Sequence, residues 1–180
     1  AEYVRSDELH QVFNFDYMGI DWDSKKIIEA ITRCVAELAS VGAQPSWVMN
    51  NHDSPRVVSR LGSVQKAKAF AILSHALPGS CYIYQGEELG LPDGIIPDSA
   101  RQDPSFIRSQ GRDKGRDGAR VPLPWNSKKK NFGFTSGNPW LPMHESLKPF
   151  SVDVEQEDQA SFLNLYRRSL ALRKRHPGLG

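Results

Sequence analysis

Short apolar runs alternate with helical periodicities along the first half of the chain, and this order limits the accessible folds more than any other feature. The spacing predicts strands over Leu9–Phe15, Ser46–Asn50 and Ser80–Tyr84. Between them it predicts a helix over Ser24–Ser40, with Ile27, Ile31, Val35 and Leu38 on one face and Gly42 behind it. A short helix over Pro55–Leu61 stops at Gly62, and a longer one over Val64–Leu77 stops at Pro78-Gly79, with Phe70, Leu73 and Leu77 inward. A last helix over Asp153–Arg175 opens with Asp153, Glu155, Glu157 and Asp158 and closes with Arg173, Lys174, Arg175 and His176, which complements its dipole. Strands separated by helices pair in parallel through right-handed crossovers, so the expected class is α/β. Three such units leave a narrow sheet with two open edges, whereas a closed eight-stranded barrel takes roughly 250 residues. A chain of 180 residues is therefore expected to be part of something larger, and Ala1 in place of a start Met fits that expectation.

Composition narrows the function classes. A hydrophobic content of 39% allows one substantial core, and a formal net charge of +2 lacks the basic face that nucleic acid requires. Lys128-Lys129-Lys130 is expected to be a solvated loop. Cys34 and Cys81 fall in helical and strand patterns and read as small buried hydrophobes, which favours a reducing, cytoplasmic setting. No stretch approaches the ~18 apolar residues of a membrane span, and the N-terminus has no signal-peptide core, so no membrane partner is expected.

In Trp47-Val48-Met49-Asn50-Asn51-His52-Asp53-Ser54-Pro55-Arg56 an apolar run ends in a cluster of titratable groups. Ser54 suits a helix cap and Pro55 a first turn, so His52 and Asp53 are placed at the C-terminal end of a strand, the edge where α/β proteins bind ligands. The structural alternative is that Asp53 satisfies free N–H groups at the helix start and His52 fills a turn. Between Leu91 and Val152 lie over sixty residues without strong periodicity, rich in Gly, Pro, charge and aromatics. Arg112-Asp113, Arg116-Asp117-Gly118-Ala119-Arg120 and Phe106, Trp125, Phe132, Phe134 and Trp140 would suit a carbohydrate cleft. Equally, the aromatics would suit a small core beneath a long loop.

Three motifs carry a resemblance. They are Met49 to Arg56, Leu77-Pro78-Gly79-Ser80-Cys81-Tyr82-Ile83-Tyr84-Gln85-Gly86-Glu87-Glu88-Leu89-Gly90, and Gly115-Arg116-Asp117-Gly118-Ala119-Arg120-Val121-Pro122-Leu123-Pro124-Trp125. With Phe132-Gly133-Phe134-Thr135, Pro139-Trp140-Leu141-Pro142 and the helix Tyr166 to Arg173, they resemble glycoside hydrolase family 13, the α-amylase family, in its α-glucosidase and oligo-1,6-glucosidase branch. The resemblance implies the C-terminal portion of a TIM (β/α)8 barrel, about strands six to eight with their helices. Residues 1–90 would hold those strands, residues 91–152 a long active-site loop, and residues 153–180 the final barrel helix. It implies a retaining enzyme, with a nucleophile and an acid about 5 Å apart, acting on α-glucosidic bonds of short oligosaccharides. Asp53 would be the third carboxylate, which stabilises the transition state, and His52 and Arg120 would bind the sugar. The two covalent-step carboxylates would precede Ala1. The chain alone is then expected to be inactive and to self-associate or need the missing half of the barrel.

No cofactor or metal is expected. Asp93, Asp98 and Asp103 lack calcium-loop spacing, and His10, His144 and His176 have no ligand spacing. Glu87 and Glu88 form a conceivable carboxylate pair without a visible partner to tune either, and His75 reads as a packed histidine. A barrel-derived sugar-binding or structural module without turnover, or a trehalose synthase or sucrose isomerase relative, are the alternative readings.

Overall fold

The computed structural model describes residues 3–5 and 7–179. The helices are α1 (Phe15–Met18), α2 (Ser24–Ala39), α3 (Val57–Leu61), α4 (Val64–Ala76), α5 (Pro104–Arg108), α6 (Val152–Glu157) and α7 (Phe162–Arg175). The strands β1 (Ser46–Val48) and β2 (Ser80–Tyr82) pair in parallel, with Ser46 opposite Ser80 and Val48 opposite Tyr82. Helices α3 and α4 form the crossover between them.

Local chemistry sets the ends of the long helices. Asp23 accepts from the backbone N–H groups of Lys25 and Lys26 to start α2, and Ser63 accepts from that of Lys66 to start α4. The inner faces of α4 and α7 meet β1 in a core that includes Tyr17, Trp47, Met49, Phe70, Phe162 and Tyr166. Trp47 is fully buried and satisfies its indole N–H on the Pro78 carbonyl at 2.6 Å.

Several expected boundaries shift. Leu9–Phe15 is not a strand: a single bridge joins Val4 to Leu9, and Asn14 caps α1 by accepting from the Tyr17 N–H at 3.0 Å. Residues 11 and 12 meet the sheet through side chains, Gln11 Nε2 on Ser80 Oγ at 2.7 Å and Ser46 Oγ on the Val12 carbonyl, so no backbone ladder holds them extended. The short helix starts at Val57, with Arg56 at its cap position and no side-chain cap from Ser54. The last helix divides in two. Ser161 caps α7, and Asn164 Nδ2 donates to the carbonyls of Glu155, Gln156 and Asp158 at the end of α6, which closes that helix within the expected span.

Residues 91–152 build most of a second core, in which Leu91, Val121, Phe132, Leu141 and Leu147 are buried with Leu89 from the turn before them. The aromatics divide between the two expectations: Phe132 is in this core, Phe106 lies half-buried under Arg101 and Lys114, and Trp125, Phe134 and Trp140 are exposed. Cys34 and Cys81 are free and half-buried, less enclosed than their patterns implied. Among the described residues no helix is long and apolar enough to cross a membrane.

Candidate active site

Directly after β1 the chain makes the turn that carries His52 and Asp53, closed by the Asp53 N–H donating to Asn51 Oδ1 at 2.9 Å. The free N–H groups at the start of α3 are satisfied from elsewhere. Asn50 Oδ1 accepts from Val57, and Asp93 Oδ1 accepts from Arg56 at 2.9 Å. Asp53 is thereby released from capping, and its carboxylate faces the long loop.

Two arginines of that loop converge on Asp53. Arg116 Nη1 donates to Oδ1 at 2.7 Å, and Arg120 Nη2 donates to the same oxygen at 2.8 Å. Arg120 also clasps the turn through Nε, which donates to the His52 carbonyl at 2.7 Å. His52 Nε2 lies 3.4 Å from the other Asp53 oxygen. Desolvation pushes the Asp53 carboxyl up, but the Arg116 bond, the His52 ring and the Arg120 bond outweigh it and hold it below the ordinary carboxylate range. The arrangement therefore presents an ionised carboxylate whose second oxygen and an adjacent imidazole are open to a ligand. All three residues singled out from the sequence, His52, Asp53 and Arg120, meet at one point.

The sequence did not disclose what holds this point in place. Asp103 is 1% exposed and anchors Arg116, accepting from Nε at 2.6 Å and Nη2 at 3.2 Å as well as from the Arg116 and Ser105 N–H groups. The Arg116 bond is the largest reason that its carboxyl lies far below the usual range. Asp117, equally buried, accepts from the N–H groups of Gln102 and Asp103 and so fixes the Asp103 backbone. A side chain on Gly115, whose φ is +65°, would meet Asp103 Cβ at 2.6 Å, so that position admits only glycine without displacement.

Arg56 is a buried tie between three segments. Its Nη1 donates to the Gln85 carbonyl at 2.8 Å, its Nη2 to the Ala119 carbonyl at 2.9 Å, and its guanidinium lies 5.2 Å over the Tyr84 ring. The strand-end motif, the segment after β2 and the loop that supplies Arg120 are thus locked together. Asp93 is committed to the Arg56 N–H, and Asp98 pairs with Arg101 at 3.0 Å and Lys114 at 2.7 Å. Among the described residues no group of three or more His, Cys, Asp or Glu side chains is arranged to hold a metal ion. A cleft of about 470 Å³ opens beside Asp53, lined by Asp93, Arg108, Asp113 and Arg116.

Glu87 and Glu88 do not form a second carboxylate site. Glu87 is 3% exposed, bonded by Asn50 and Tyr166, and has no opening to a ligand. His75 is buried between α4 and α7, its Nδ1 2.7 Å from Ser169 Oγ, and burial pushes its pKa down to about 4.

The alpha amylase catalytic domain family matches residues 2–180. The chain belongs to this family. It is 32% identical to the oligo-1,6-glucosidase of Parageobacillus thermoglucosidasius, a match that covers 94% of this chain and 36% of the relative. With the probable alpha-glucosidase of Rhizobium meliloti it shares 37% identity over 99% of this chain and 33% of the relative. Among solved structures, the alpha-glucosyl transfer enzyme XgtA superposes with a TM-score of 0.87 at 37% identity, covering 99% of this chain and 34% of XgtA. The chain spans about a third of the length of the curated relatives it matches. It is an α/β portion of an alpha-amylase catalytic domain, with one parallel strand pair among the described residues.

Proposed function

We propose that this chain is the C-terminal portion of a TIM-barrel catalytic domain, with β1 and β2 as the seventh and eighth strands. Residues 1–90 would contribute the last strands with their helices, residues 91–152 the active-site loop and residues 153–180 the closing helical segment. In this reading Leu9–Phe15 is the sixth strand, which gains its ladder from the preceding strand of the full domain. The whole protein is a retaining α-glucosidase-type enzyme acting on α-glucosidic bonds of short oligosaccharides, the class that the oligo-1,6-glucosidase and alpha-glucosidase relatives are named for. A small oligosaccharide is its partner.

One observation carries the reading: Asp53 stands at the end of β1 as a carboxylate kept ionised by Arg116 and Arg120, with His52 beside its free oxygen. Such a group accepts hydrogen bonds from the hydroxyls of a sugar ring. As positive charge develops at the anomeric carbon those hydroxyls become better donors, so the bonds strengthen toward the transition state and lower the barrier. His52 and Arg120 hold the same ring from the two sides of Asp53. The nucleophile and the acid, which do the covalent work, are supplied by earlier strands of the domain.

In the full-length protein Asp53→Asn keeps the shape and removes the charge. The expected result is a kcat lower by orders of magnitude with the fold intact and the melting temperature only slightly lowered, measured on maltose and isomaltose. Near-normal turnover would overturn the assignment. The 37% identity to a glucosyl transfer enzyme favours transfer to a sugar acceptor as a second reading. Product analysis at high sugar concentration separates the two, since transfer yields longer oligosaccharides and hydrolysis yields glucose alone.

A further inference from the structure

Glu87 is a buried carboxyl that the proposed chemistry does not use. It begins the 3-10 turn Glu87–Leu89 after β2, at 3% exposure, and both its hydrogen-bond partners are neutral side chains. Oε2 accepts from Asn50 Nδ2, and Oε1 accepts from the Tyr166 hydroxyl at 2.8 Å. Asn50 Oδ1 in turn accepts from the N–H of Val57, the first residue of α3. One side-chain amide therefore spans the turn that carries His52 and Asp53: its carbonyl closes the far end of the turn and its NH2 is moored to Glu87. The mooring is rigid because Tyr166 is 2% exposed in α7, edge-on to the His75 ring at 4.6 Å.

We propose that Glu87 is a positioning residue for the sugar-binding turn, acting through Asn50 to hold His52 and Asp53 in register with Arg116 and Arg120. The inference rests on the reading of Asp53 as the carboxylate that binds the sugar.

Hydrogen-bond bookkeeping makes a sharp demand on the residue at position 87. The orientation of Asn50 is fixed, because Val57 needs its carbonyl oxygen; its NH2 must then find an acceptor. The Tyr166 hydroxyl is not fixed, since it can turn and accept instead of donate. A glutamine satisfies both, with its oxygen toward Asn50 and its NH2 toward Tyr166. An alanine satisfies neither and leaves a buried amide and a buried hydroxyl unpaired. Around this carboxyl stand Glu88 from its own turn, Arg56 and Arg60 from the turn and α3, Tyr17 from α1, Cys81 from β2 and Tyr166 from α7. None of these replaces the bond to Asn50.

The test compares Glu87→Gln, Glu87→Ala, Asn50→Ala, the Glu87→Ala/Asn50→Ala pair and Tyr166→Phe in the full-length protein, with Asp53→Asn as reference, by kcat, KM and thermal melting. Displacing a sugar-binding carboxylate by an ångström lowers kcat by about a hundredfold. That loss is expected for Glu87→Ala and Asn50→Ala, with KM little changed, and the pair should lose no more than either alone, because the two act as one unit. Glu87→Gln should restore kcat close to wild type, and Tyr166→Phe should retain it.

Glu87→Ala with a lower melting temperature and an unchanged kcat would show a merely structural role and overturn the inference. So would a Glu87→Gln loss as large as that of Glu87→Ala, or losses that multiply in the pair. Should Glu87→Ala fail to fold, full activity in Asn50→Ala refutes the inference by itself. An active Asp53→Asn would instead remove the sugar-binding reading, and the positioning inference with it; an inactive Asp53→Asn beside an active Glu87→Ala removes the positioning inference alone.

Discussion

Arg116 donates from Nη1 to Asp53 Oδ1 at 2.7 Å, joining the long loop to the turn after β1. Its Nε is committed to the buried Asp103 at 2.6 Å, so the guanidinium cannot follow Asp53 if the turn moves. Arg120 reaches the same oxygen with a looser hold behind it: Asp103 Oδ2 lies 3.8 Å from its Nη1, an ion pair beyond hydrogen-bond reach. The two arginines therefore do different work: Arg116 fixes the position of the carboxylate, and Arg120 completes the contact with it.

Removing them should separate stability from binding. Arg116→Ala strands the Asp103 carboxylate without its guanidinium and is expected to lower the melting temperature more than Arg120→Ala does. Arg120→Ala is expected to weaken a glucose-derived inhibitor more than it lowers the melting temperature. Calorimetric titration and thermal melts of both variants check this, and equal melting temperatures would contradict it.

Stability should depend on pH in two opposite ways. Asp103 and Asp53 are depressed, chiefly by Arg116 bonds against the cost of desolvation, so their contribution is present above the ordinary value of 3.8 and is lost as pH falls toward their folded values. Burial raises Glu87 from 4.5 to about 7, so the native state holds a proton that the unfolded chain has released, and stability falls as pH rises through that interval. Denaturant unfolding of wild type and Glu87→Gln across pH 4 to 8 checks the second effect, which the variant should abolish.

Asn164 is buried and closes the α6–α7 junction with three bonds to backbone carbonyls. Asn164→Ala is expected to cost about 1–3 kcal/mol, since the carbonyls lose their donor. Urea unfolding measures this; a cost below about 0.5 kcal/mol would mean that water replaces the amide.

The 180 residues by themselves are expected to show no α-glucosidase activity and to form a dimer or larger assembly. Their sheet has two strands with open edges, and Phe13, Tyr82 and Ile83 are exposed beside it. Light scattering that shows a monodisperse, cooperatively melting monomer would contradict the open-edge argument. Turnover by such a monomer would contradict the assignment of the covalent step to other residues.

The helices α2 and α4 were legible from their apolar spacing and from Gly42 and Pro78-Gly79 behind them, whereas the caps Asp23 and Ser63 were supplied by the structure. The same holds for β1 and β2, whose apolar runs are bounded by polar and glycine residues. His52, Asp53 and Arg120 were legible through motifs, which keep residue type and spacing even where the contact itself is distant. Leu9–Phe15 misled because its strand propensity is real while its backbone partners are not in place, and Asn14 then favours the helical turn.

Sequence alone determined the helices α2 and α4, the strands β1 and β2, the family, and His52, Asp53 and Arg120 at the candidate site. Only the tertiary structure decided what holds them there. Arg116 reaches Asp53 across 63 residues of chain, Asp93 caps Arg56 across 37, and Tyr166 finds Glu87 across 79. Capping and periodicity act between neighbours and leave a pattern in the order of residues, whereas these bonds depend on where the whole backbone path brings two side chains. A buried carboxylate and an exposed one are the same letter until packing removes the water from one of them.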